Sequence, residues 1–377
     1  MKNILMNIAI LCGMMLTGSQ LTAQSVTKSG LQRKNFQTEI DGKYTDLFVL
    51  KNKNGVEACI TNYGGRVVSL MVPDRKGKLE DVVTGFPTIQ EYTSIRQNYG
   101  AAIGRYIGRI QGASFTLDGV TYQLEGKPHC SHGGKPGFAN RVWNPRQEDA
   151  QTLHLYYTSP DGECGFPGNL TIHLTYKLTN DNALDITYEA TTDKPTVLNL
   201  SHHSFFNITG DLNRSIETTY MQVDGDYITE YDATKCVTGN LLPVKDTPFD
   251  FKQLKLIGKD IDADDAQLKV TRGYDHAWVL NTNGDDKKVA IHQVDSVSGR
   301  TLDVYTTEPG IQVYTGNGLN GKTIGKNEVA YPRRAAVCFE AMHFADSPNK
   351  PQFPSTVLRP GQTYYTHTVY KFGRLKK

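Results

Sequence analysis

The chain has 377 residues, and its 41 lysines and arginines against 39 aspartates and glutamates give a formal net charge of +2. This balance excludes the strong basic field that electrostatic binding of nucleic acid requires. Hydrophobic residues at 38% and charged residues at 21% are typical of a globular protein, not of a disordered one.

Residues 1–24 have the layout of a secretory signal peptide. Lys2 gives a positive start, residues 4–16 form an apolar stretch, and Ala23 is a candidate cleavage position. The stretch is too short to span a bilayer as a helix. We therefore expect a periplasmic or extracellular protein with no membrane attachment after cleavage. The alternative is an apolar segment docked on the core.

The six cysteines include no C-x-x-C pair, so neither a zinc site nor a redox dithiol is indicated. Cleavage of the leader would remove Cys12 and leave an odd number of thiols. We expect these to be mostly buried and free.

The remainder, residues 25–377, reads as a single β-rich domain. Residues 170–192 alternate polar and apolar on both sides of Asn180-Asp181-Asn182, which predicts a hairpin. No linker divides the chain, and no helical periodicity extends over a dozen residues. Further predicted strands are 153–158, 197–207, 288–294, 302–307, 311–315, 336–342 and 364–370. The pattern favours one all-β, antiparallel β-sandwich.

Residues 316–323 (GNGLNGKT) match the phosphate-loop pattern G-x-x-x-x-G-K-[ST]. A phosphate loop depends on the N-terminus of a helix that follows it. Here Pro332 follows closely and no helical apolar stripe is present, so we interpret the match as chance.

His202 and His203 are adjacent, so on a strand they point to opposite faces and cannot easily clasp one metal ion. The alternation places His203 on a polar face with Asn199 and Ser201. His203 is therefore the better site candidate, although a hydrogen-bonded structural role is the alternative for either histidine.

Glu340 lies among apolar residues in the segment 335–342 (AAVCFEAM). A buried carboxylate is costly unless it is paired or functional, and desolvation raises its pKa. The structural alternative is an ion pair with Arg333 or Arg334. The acid and imidazole of Asp275-His276 at the start of a strand, with Arg109 and abundant aromatics elsewhere, suit a sugar pocket.

Taken in order, these segments resemble the aldose 1-epimerase (galactose mutarotase) family over nearly the whole chain after the leader. The motifs are 104–110 (GRYIGRI), 132–134 (HGG), 162–170 (GECGFPGNL), 199–207 (NLSHHSFFN), 248–251 (PFDF), 273–276 (GYDH), 314–317 (YTGN) and 339–349 (FEAMHFADSPN). The resemblance implies a large β-sandwich of the galactose mutarotase-like supersandwich type. It also implies interconversion of the α and β anomers of free aldoses such as glucose and galactose, without a cofactor or a metal.

The resemblance implies specific roles in this chain. Glu340 looks like the proton acceptor and His203 the proton donor, and we expect a His203 pKa near 7. The positions expected to bind the sugar are Arg109, His132, Asp275, Gln312, Ser204, Phe205 and Gly108. Gly108 stands where the family usually has Asn, His202 replaces Asn, and Phe205 replaces Tyr, so the preferred aldose is left open. The only partner that the resemblance implies is a free aldohexose. The sequence does not determine the oligomeric state and is compatible with a monomer.

Three other functions remain open at this point. A non-catalytic carbohydrate-binding module would also use a β-sandwich with aromatics. A glycoside hydrolase would use Asp275 and Glu340 as paired carboxylates. A sugar-phosphate epimerase would need extra cations around the pocket, and the sequence cannot place them.

Overall fold

The structure is a computed structural model that describes residues 26–95 and 97–375. The predicted signal peptide, with Cys12, lies outside the described residues. Neither α-helix of the described chain is long and apolar enough to cross a lipid bilayer.

Short strands follow one another along the described chain, and two helices of seven and six residues interrupt them. The first part contains β1 (Thr38–Ile40), β2 (Lys43–Thr45), β3 (Leu47–Lys51), β4 (Glu57–Thr61), β5 (Arg66–Pro73), β6 (Leu79–Asp81), α1 (Ile89–Ile95), β7 (Ala101–Ile103), β8 (Arg109–Ile110), β9 (Ser114–Leu117), β10 (Val120–Gln123) and β11 (Cys130–Ser131). The middle part contains β12 (Asn144–Gln147), β13 (Thr152–Ser159), β14 (Leu170–Leu178), β15 (Ala183–Thr192), β16 (Thr196–Val197), β17 (Ser201–His203), β18 (Phe205–Phe206), β19 (Tyr220–Val223), β20 (Gly225–Tyr231) and β21 (Val237–Pro243). The last part contains β22 (Lys255–Leu256), α2 (Ala266–Thr271), β23 (Asp275–Leu280), β24 (Ile291–Val294), β25 (Arg300–Thr306), β26 (Gly310–Tyr314), β27 (Val337–Met342), β28 (Val357–Leu358) and β29 (Tyr364–Arg374).

Two large sheets dominate the fold. A nine-stranded sheet has the order β12-β13-β14-β15-β29-β25-β24-β19-β22, and a six-stranded sheet has the order β18-β27-β26-β23-β20-β21. A four-stranded sheet, β3-β4-β5-β6, lies beside them, and every strand ladder is antiparallel. The predicted all-β class with an antiparallel sandwich is confirmed.

The core of the molecule lies between the two large sheets. Phe206 of the six-stranded sheet packs against Phe372 of the nine-stranded sheet, with ring centroids 6.1 Å apart. Tyr370 of the nine-stranded sheet donates a hydrogen bond of 2.6 Å to the carbonyl of Phe339 across the interface. Aromatic side chains therefore fill the layer and satisfy polar groups at its centre.

The predicted hairpin forms as β14 and β15, with the turn at residues 179–182. Along β14 the even-numbered residues from Leu170 to Leu178 are buried and the odd-numbered ones are half-buried or exposed. The other predicted strands are also present, within a few residues of their expected ends, with one exception.

The exception is the segment 197–207. We predicted that it forms a single strand, and this prediction is wrong. The segment is divided into β16, β17 and β18, and these pair with β28, β7 and β27 respectively. Its polar side chains bond to the β27 backbone and the residue after it: the Asn199 amide donates to the His343 carbonyl and the Ser201 hydroxyl to the Ala341 carbonyl. Such side-chain bonds compete with a continuous ladder.

The described cysteines and the segment 316–323 have the structures that the sequence predicts. The five described cysteines are free thiols, four of them buried and Cys164 half-buried, as predicted. The element that follows residues 316–323 is a short 3₁₀ turn, Lys326–Glu328, where a phosphate loop requires a helix.

One buried cation fixes the chain segment that leads into β7. The Arg66 guanidinium is fully buried and donates hydrogen bonds of 2.7–2.8 Å to the carbonyls of Gln97, Tyr99 and Ala139. Burial lowers the pKa of Arg66 to about 10, which still leaves the group charged at neutral pH. Arg66 thus ties β5 to two loops at once.

Replacing Arg66 by methionine tests this role. The buried carbonyls of Tyr99 and Ala139 and the part-buried carbonyl of Gln97 would lose their partner. Each buried loss costs about 1 kcal/mol or more, so we expect the free energy of unfolding to fall by about 2–3 kcal/mol. Urea unfolding followed by circular dichroism measures this change. Arg374→Met is the control, because Arg374 is exposed and should change stability by less than about 0.5 kcal/mol. Equal effects of the two substitutions would contradict the assignment.

Candidate active site

A cavity of about 390 Å³ opens at the six-stranded sheet. Its walls contain cationic, acidic, amide and aromatic side chains, which is the mixture that a polar small molecule requires. The lining residues are Gln97, Asn98, Gly108, Arg109, His132, His203, Phe205, Tyr231, Lys235, Thr271, Arg272, Asp275, Gln312, Tyr314, Asn317, Gly318, Glu340 and Met342.

His203 and Glu340 meet in this cavity, although they lie 137 positions apart in the chain. His203 ends β17, and Glu340 lies within β27. The His203 Nε2 atom is 3.3 Å from the Glu340 Oε1 atom, and both side chains are more than nine-tenths buried. A proton can pass between two groups at this distance.

The strand register places two further polar groups beside Glu340. Gln312 of β26 lies directly opposite Glu340 of β27, and β23, which begins at Asp275, is the next strand. The Gln312 amide donates a hydrogen bond of 2.7 Å to the Asp275 Oδ1 atom and one of 3.2 Å to the Tyr231 hydroxyl. Neighbouring strands therefore present a row of groups that can bind hydroxyls.

Arg109 and His132 come from a different part of the chain. The short ladder of β8 and β11 pairs Arg109 with Ser131, and the His132 amide donates to the Gly108 carbonyl at 2.9 Å. The His132 and His203 rings meet edge to face, with centroids 5.5 Å apart. A Cβ atom on Gly133 would lie 1.9 Å from the Gly104 carbonyl oxygen, so only glycine allows this turn beside His132.

The electrostatics of Glu340 favour its protonated form. Burial raises the pKa of Glu340 well above its usual value, and the nearby Asp275 carboxylate raises it further, while Arg109 opposes the rise. The pKa of Asp275 is also raised by burial and is lowered in part by its bond from Gln312. Once ionised, Glu340 is thus a stronger base than a carboxylate in water.

The electrostatics of His203 favour its neutral form. Burial lowers the pKa of His203 well below 6.5, and the neighbouring His132 lowers it further. The expectation of a His203 pKa near 7 is therefore wrong for the ligand-free site, because the ring is far more desolvated than its strand position indicated. Burial also lowers the pKa of His132 to about 4, with Arg109 adding to the effect.

The structure brings most of the predicted site residues together. Of these residues, Gly108 and Phe205 also line the cavity, and the Phe205 ring stacks on His203 with centroids 4.9 Å apart. Ser204 is not at the cavity: its hydroxyl is 3.1 Å from the His202 Nδ1 atom in the interior. The position of Ser204 follows from strand alternation, which turns it away from the face of His203.

Two alternatives for single residues can be settled from the contacts. Arg334 forms ion pairs with Glu217 and Asp262, and Arg333 lies 3.8 Å from Asp262, so neither arginine pairs with Glu340. His202 packs edge-on against Tyr176 in the core, and burial lowers its pKa to about 3.

Several residues at the site were missed by the sequence analysis. Cys338 lies two residues before Glu340 on the same strand face, a spacing that was available in the sequence. Tyr231, Lys235 and Arg272 belong to loops or strand ends in segments without a distinctive motif, so no local signal could have identified them.

The site also contains a set of potential metal ligands. Ligand atoms of His203, Cys338 and Glu340 lie within 4.8 Å of one another, and all three residues are buried. Three ligands of this kind are compatible with a zinc-like ion. Without a metal, the histidine and the carboxylate can exchange protons with a bound molecule, which is general acid–base chemistry.

Comparisons of the sequence with known proteins all point to one family. The sequence model of the family described as aldose 1-epimerase matches residues 46–371. The chain is 37% identical to galactose mutarotase from Mus musculus over 316 residues, which are 83% of this chain and 90% of the mouse protein. It is 36% identical to aldose 1-epimerase from Escherichia coli K12 over 337 residues, 88% and 96% of the two chains.

Solved structures show the same similarity. An aldose epimerase homologue from C. elegans superposes with a TM-score of 0.81 at 28% identity and covers 88% of this chain and 100% of its own. Galactose 1-epimerase from Lactobacillus acidophilus gives a TM-score of 0.80 at 28% identity, with 90% and 98% covered.

The charge states of two histidines provide a test of the site. His203 and His343 each contact a buried glutamate, but hydrogen bonding to Glu308 raises the pKa of His343 despite its burial, whereas burial lowers that of His203. A lowered pKa means that the neutral form persists to lower pH. At pH 6.5 we therefore expect His203 to be less than half protonated and His343 more than half, as measured by imidazole ¹⁵N chemical shifts. Titration of His203 above pH 6.5 would refute this arrangement.

Proposed function

The chain belongs to the aldose 1-epimerase family, and we propose that Glu340 and His203 are the two groups that transfer protons in its reaction. The protein is an aldose 1-epimerase, which interconverts the α and β anomers of free aldoses by opening the sugar ring and closing it again. A purely carbohydrate-binding module and a glycoside hydrolase, which the sequence motifs had left open, are therefore set aside.

Ring opening requires two proton transfers. Glu340 accepts the proton of the anomeric hydroxyl, the C1–O5 bond breaks as the C1 carbonyl forms, and His203 gives its proton to the ring oxygen. Rotation about the C1–C2 bond then presents the other carbonyl face. In the reverse steps His203 takes the proton from the C5 hydroxyl and Glu340 returns one to the carbonyl oxygen, which leaves the pair as it began.

The observation that carries this proposal is the 3.3 Å contact of His203 with Glu340, both buried in one cavity. The cycle needs a single proton on the pair at its start. The directions of the two pKa shifts support this state, because burial raises the pKa of Glu340 and lowers that of His203, so the free site holds one proton, on Glu340, and His203 is neutral. The ligand-free site then differs from the state that starts the reaction only by transfer of this proton from Glu340 to His203.

The remaining polar groups suit binding of the sugar hydroxyls. Asp275, Gln312 and Arg109 lie on the cavity wall, where charged groups form the stronger hydrogen bonds. His132, neutral because of its lowered pKa, is positioned edge-on to His203 near the place of the ring oxygen. Phe205 presents an aromatic face that would pack on the apolar C–H surface of a pyranose. Galactose is a proposed substrate, because relatives of this chain are named galactose mutarotase. Glucose, which the sequence resemblance implies, is proposed as a second substrate.

We further propose that the enzyme acts outside the cytoplasm and supplies the usable anomer to uptake or catabolism. The support is the layout of residues 1–24, with its positive start, apolar stretch and small residue at the candidate cleavage position. Cell fractionation and N-terminal sequencing of the purified protein should find a chain that starts near residue 24 in an extracytoplasmic fraction. An uncleaved cytosolic chain would reject the proposal.

The substitutions Glu340→Gln and His203→Asn test the proton-transfer roles. Each removes one group that transfers a proton but retains shape and hydrogen bonding, so we expect kcat for mutarotation to fall by at least about 100-fold with binding retained. Polarimetry of freshly dissolved α-D-galactose and α-D-glucose measures the rate, and calorimetry measures binding.

Glu308→Gln is the matched control, because Glu308 is buried and pairs with the half-buried His343 outside the cavity. It should keep kcat within about twofold while any loss of stability appears in its thermal unfolding. If Glu340→Gln retained near-normal kcat, or if Glu308→Gln lost activity equally, the assignment would fail.

A further inference from the structure

We propose that the cavity accepts aldoses that carry an anionic group at the end remote from C1, a C6 carboxylate or a C6 phosphate, and that Lys235 and Arg272 bind this group. The inference rests on the proposed function, since it extends the substrate class of the same site.

The first observation is a concentration of unpaired cations at the cavity. Arg109, Lys235 and Arg272 all line it. Within the described residues, none of their side chains forms an ion pair or a hydrogen bond, whereas every other described arginine except Arg374 does. Charged groups that converge on a cavity without a protein partner are available to a ligand of opposite charge.

The second observation is the order of groups across the six-stranded sheet. Glu340 lies on β27, Gln312 on β26 and Asp275 on β23, while Lys235 lies in the loop between β20 and β21. At about 4.8 Å per strand, this loop starts about 14 Å from the strand of Glu340. A sugar whose C1 reacts at Glu340 and His203 therefore extends its other end along the row toward the lysine.

The third observation is that the backbone is constrained at both cationic residues. Lys235 and Arg272 have φ values of 64° and 61°, in the left-handed region that costs conformational free energy for residues other than glycine. The Asp232 carboxylate accepts hydrogen bonds from the amides of Thr234 and Cys236 and so fixes the turn on both sides of Lys235.

The helix that carries Arg272 is fixed against the same hairpin. Gln267 of α2 accepts a hydrogen bond of 2.8 Å from the Tyr231 amide, and Arg272 is the residue that ends the helix. The Arg333 guanidinium donates to the Arg272 carbonyl at 2.7 Å. The two cations therefore come from adjacent and braced segments, as a preformed anion site requires.

The opposing carboxylates do not cancel this positive charge. Asp275 and Glu340 are the acidic residues that line the cavity, against three cations. The outer end of the cavity, at Lys235 and Arg272, is thus electropositive.

The test compares D-galactose, D-galacturonate and D-galactose 6-phosphate. Exchange of the anomeric protons at equilibrium, measured by saturation-transfer NMR, gives kcat/KM for each sugar with the full-length protein. We expect the wild type to turn over at least one anionic sugar as efficiently as galactose at low salt. The preferred anionic sugar identifies a carboxylate or a phosphate as the bound group.

Lys235→Met and Arg272→Met should each lower kcat/KM for the preferred anionic sugar about tenfold, because each removes one charge-assisted contact. The same substitutions should change kcat/KM for galactose by less than about twofold. Lys177→Met is the control, because Lys177 is exposed on β14 away from the cavity; it should leave all three rates unchanged. The inference would be overturned if the wild-type kcat/KM for both anionic sugars were more than about tenfold lower than that for galactose. It would also be overturned if Lys235→Met lowered kcat/KM equally for galactose and galacturonate. Absence of galactose turnover would instead overturn the proposed function.

Discussion

The site depends on the removal of one carboxylate from water. Glu340 lies in a strand whose other residues are all buried, and no lysine or arginine among the described residues forms an ion pair with it. The free energy of this desolvation is offset by the packing of the two large sheets, and it is stored as a raised pKa. His203 is the neighbour that can take or give the proton, because it too is buried and stays neutral in the free site.

A second buried pair shows that proximity alone does not decide chemistry. Glu308 and His343 are closer, at 2.6 Å, and the pKa of His343 is raised despite its burial. That arrangement favours a fixed ion pair, whereas beside the 3.3 Å contact with Glu340 the His203 Nδ1 atom is buried without a hydrogen-bond partner. Poorly satisfied groups in a cavity are the ones that a ligand can engage.

Strand alternation accounts for most of what the sequence could predict. It located the hairpin at residues 170–192 and the separation of His203 from His202, since both depend on a period of two. The burial of Glu340 was indicated instead by its apolar neighbours in residues 335–342. It failed for the segment 197–207, where side chains of Asn199 and Ser201 bond to the backbone of another part of the chain. Residues such as Lys235 and Arg272 reach the cavity through long-range packing of loops, and no local pattern encodes that placement.

The wide spacing of the lining residues along the chain has a consequence for folding. The cavity combines groups from Gln97 to Met342, and its walls need β8, β11, β17 and the six-stranded sheet at the same time. Closing contacts between such distant segments is entropically the most demanding part of assembly. Recovery of catalytic turnover during renaturation therefore reports the joining of segments from Gln97 to Met342, and a fragment that lacks one of these segments lacks part of the cavity wall.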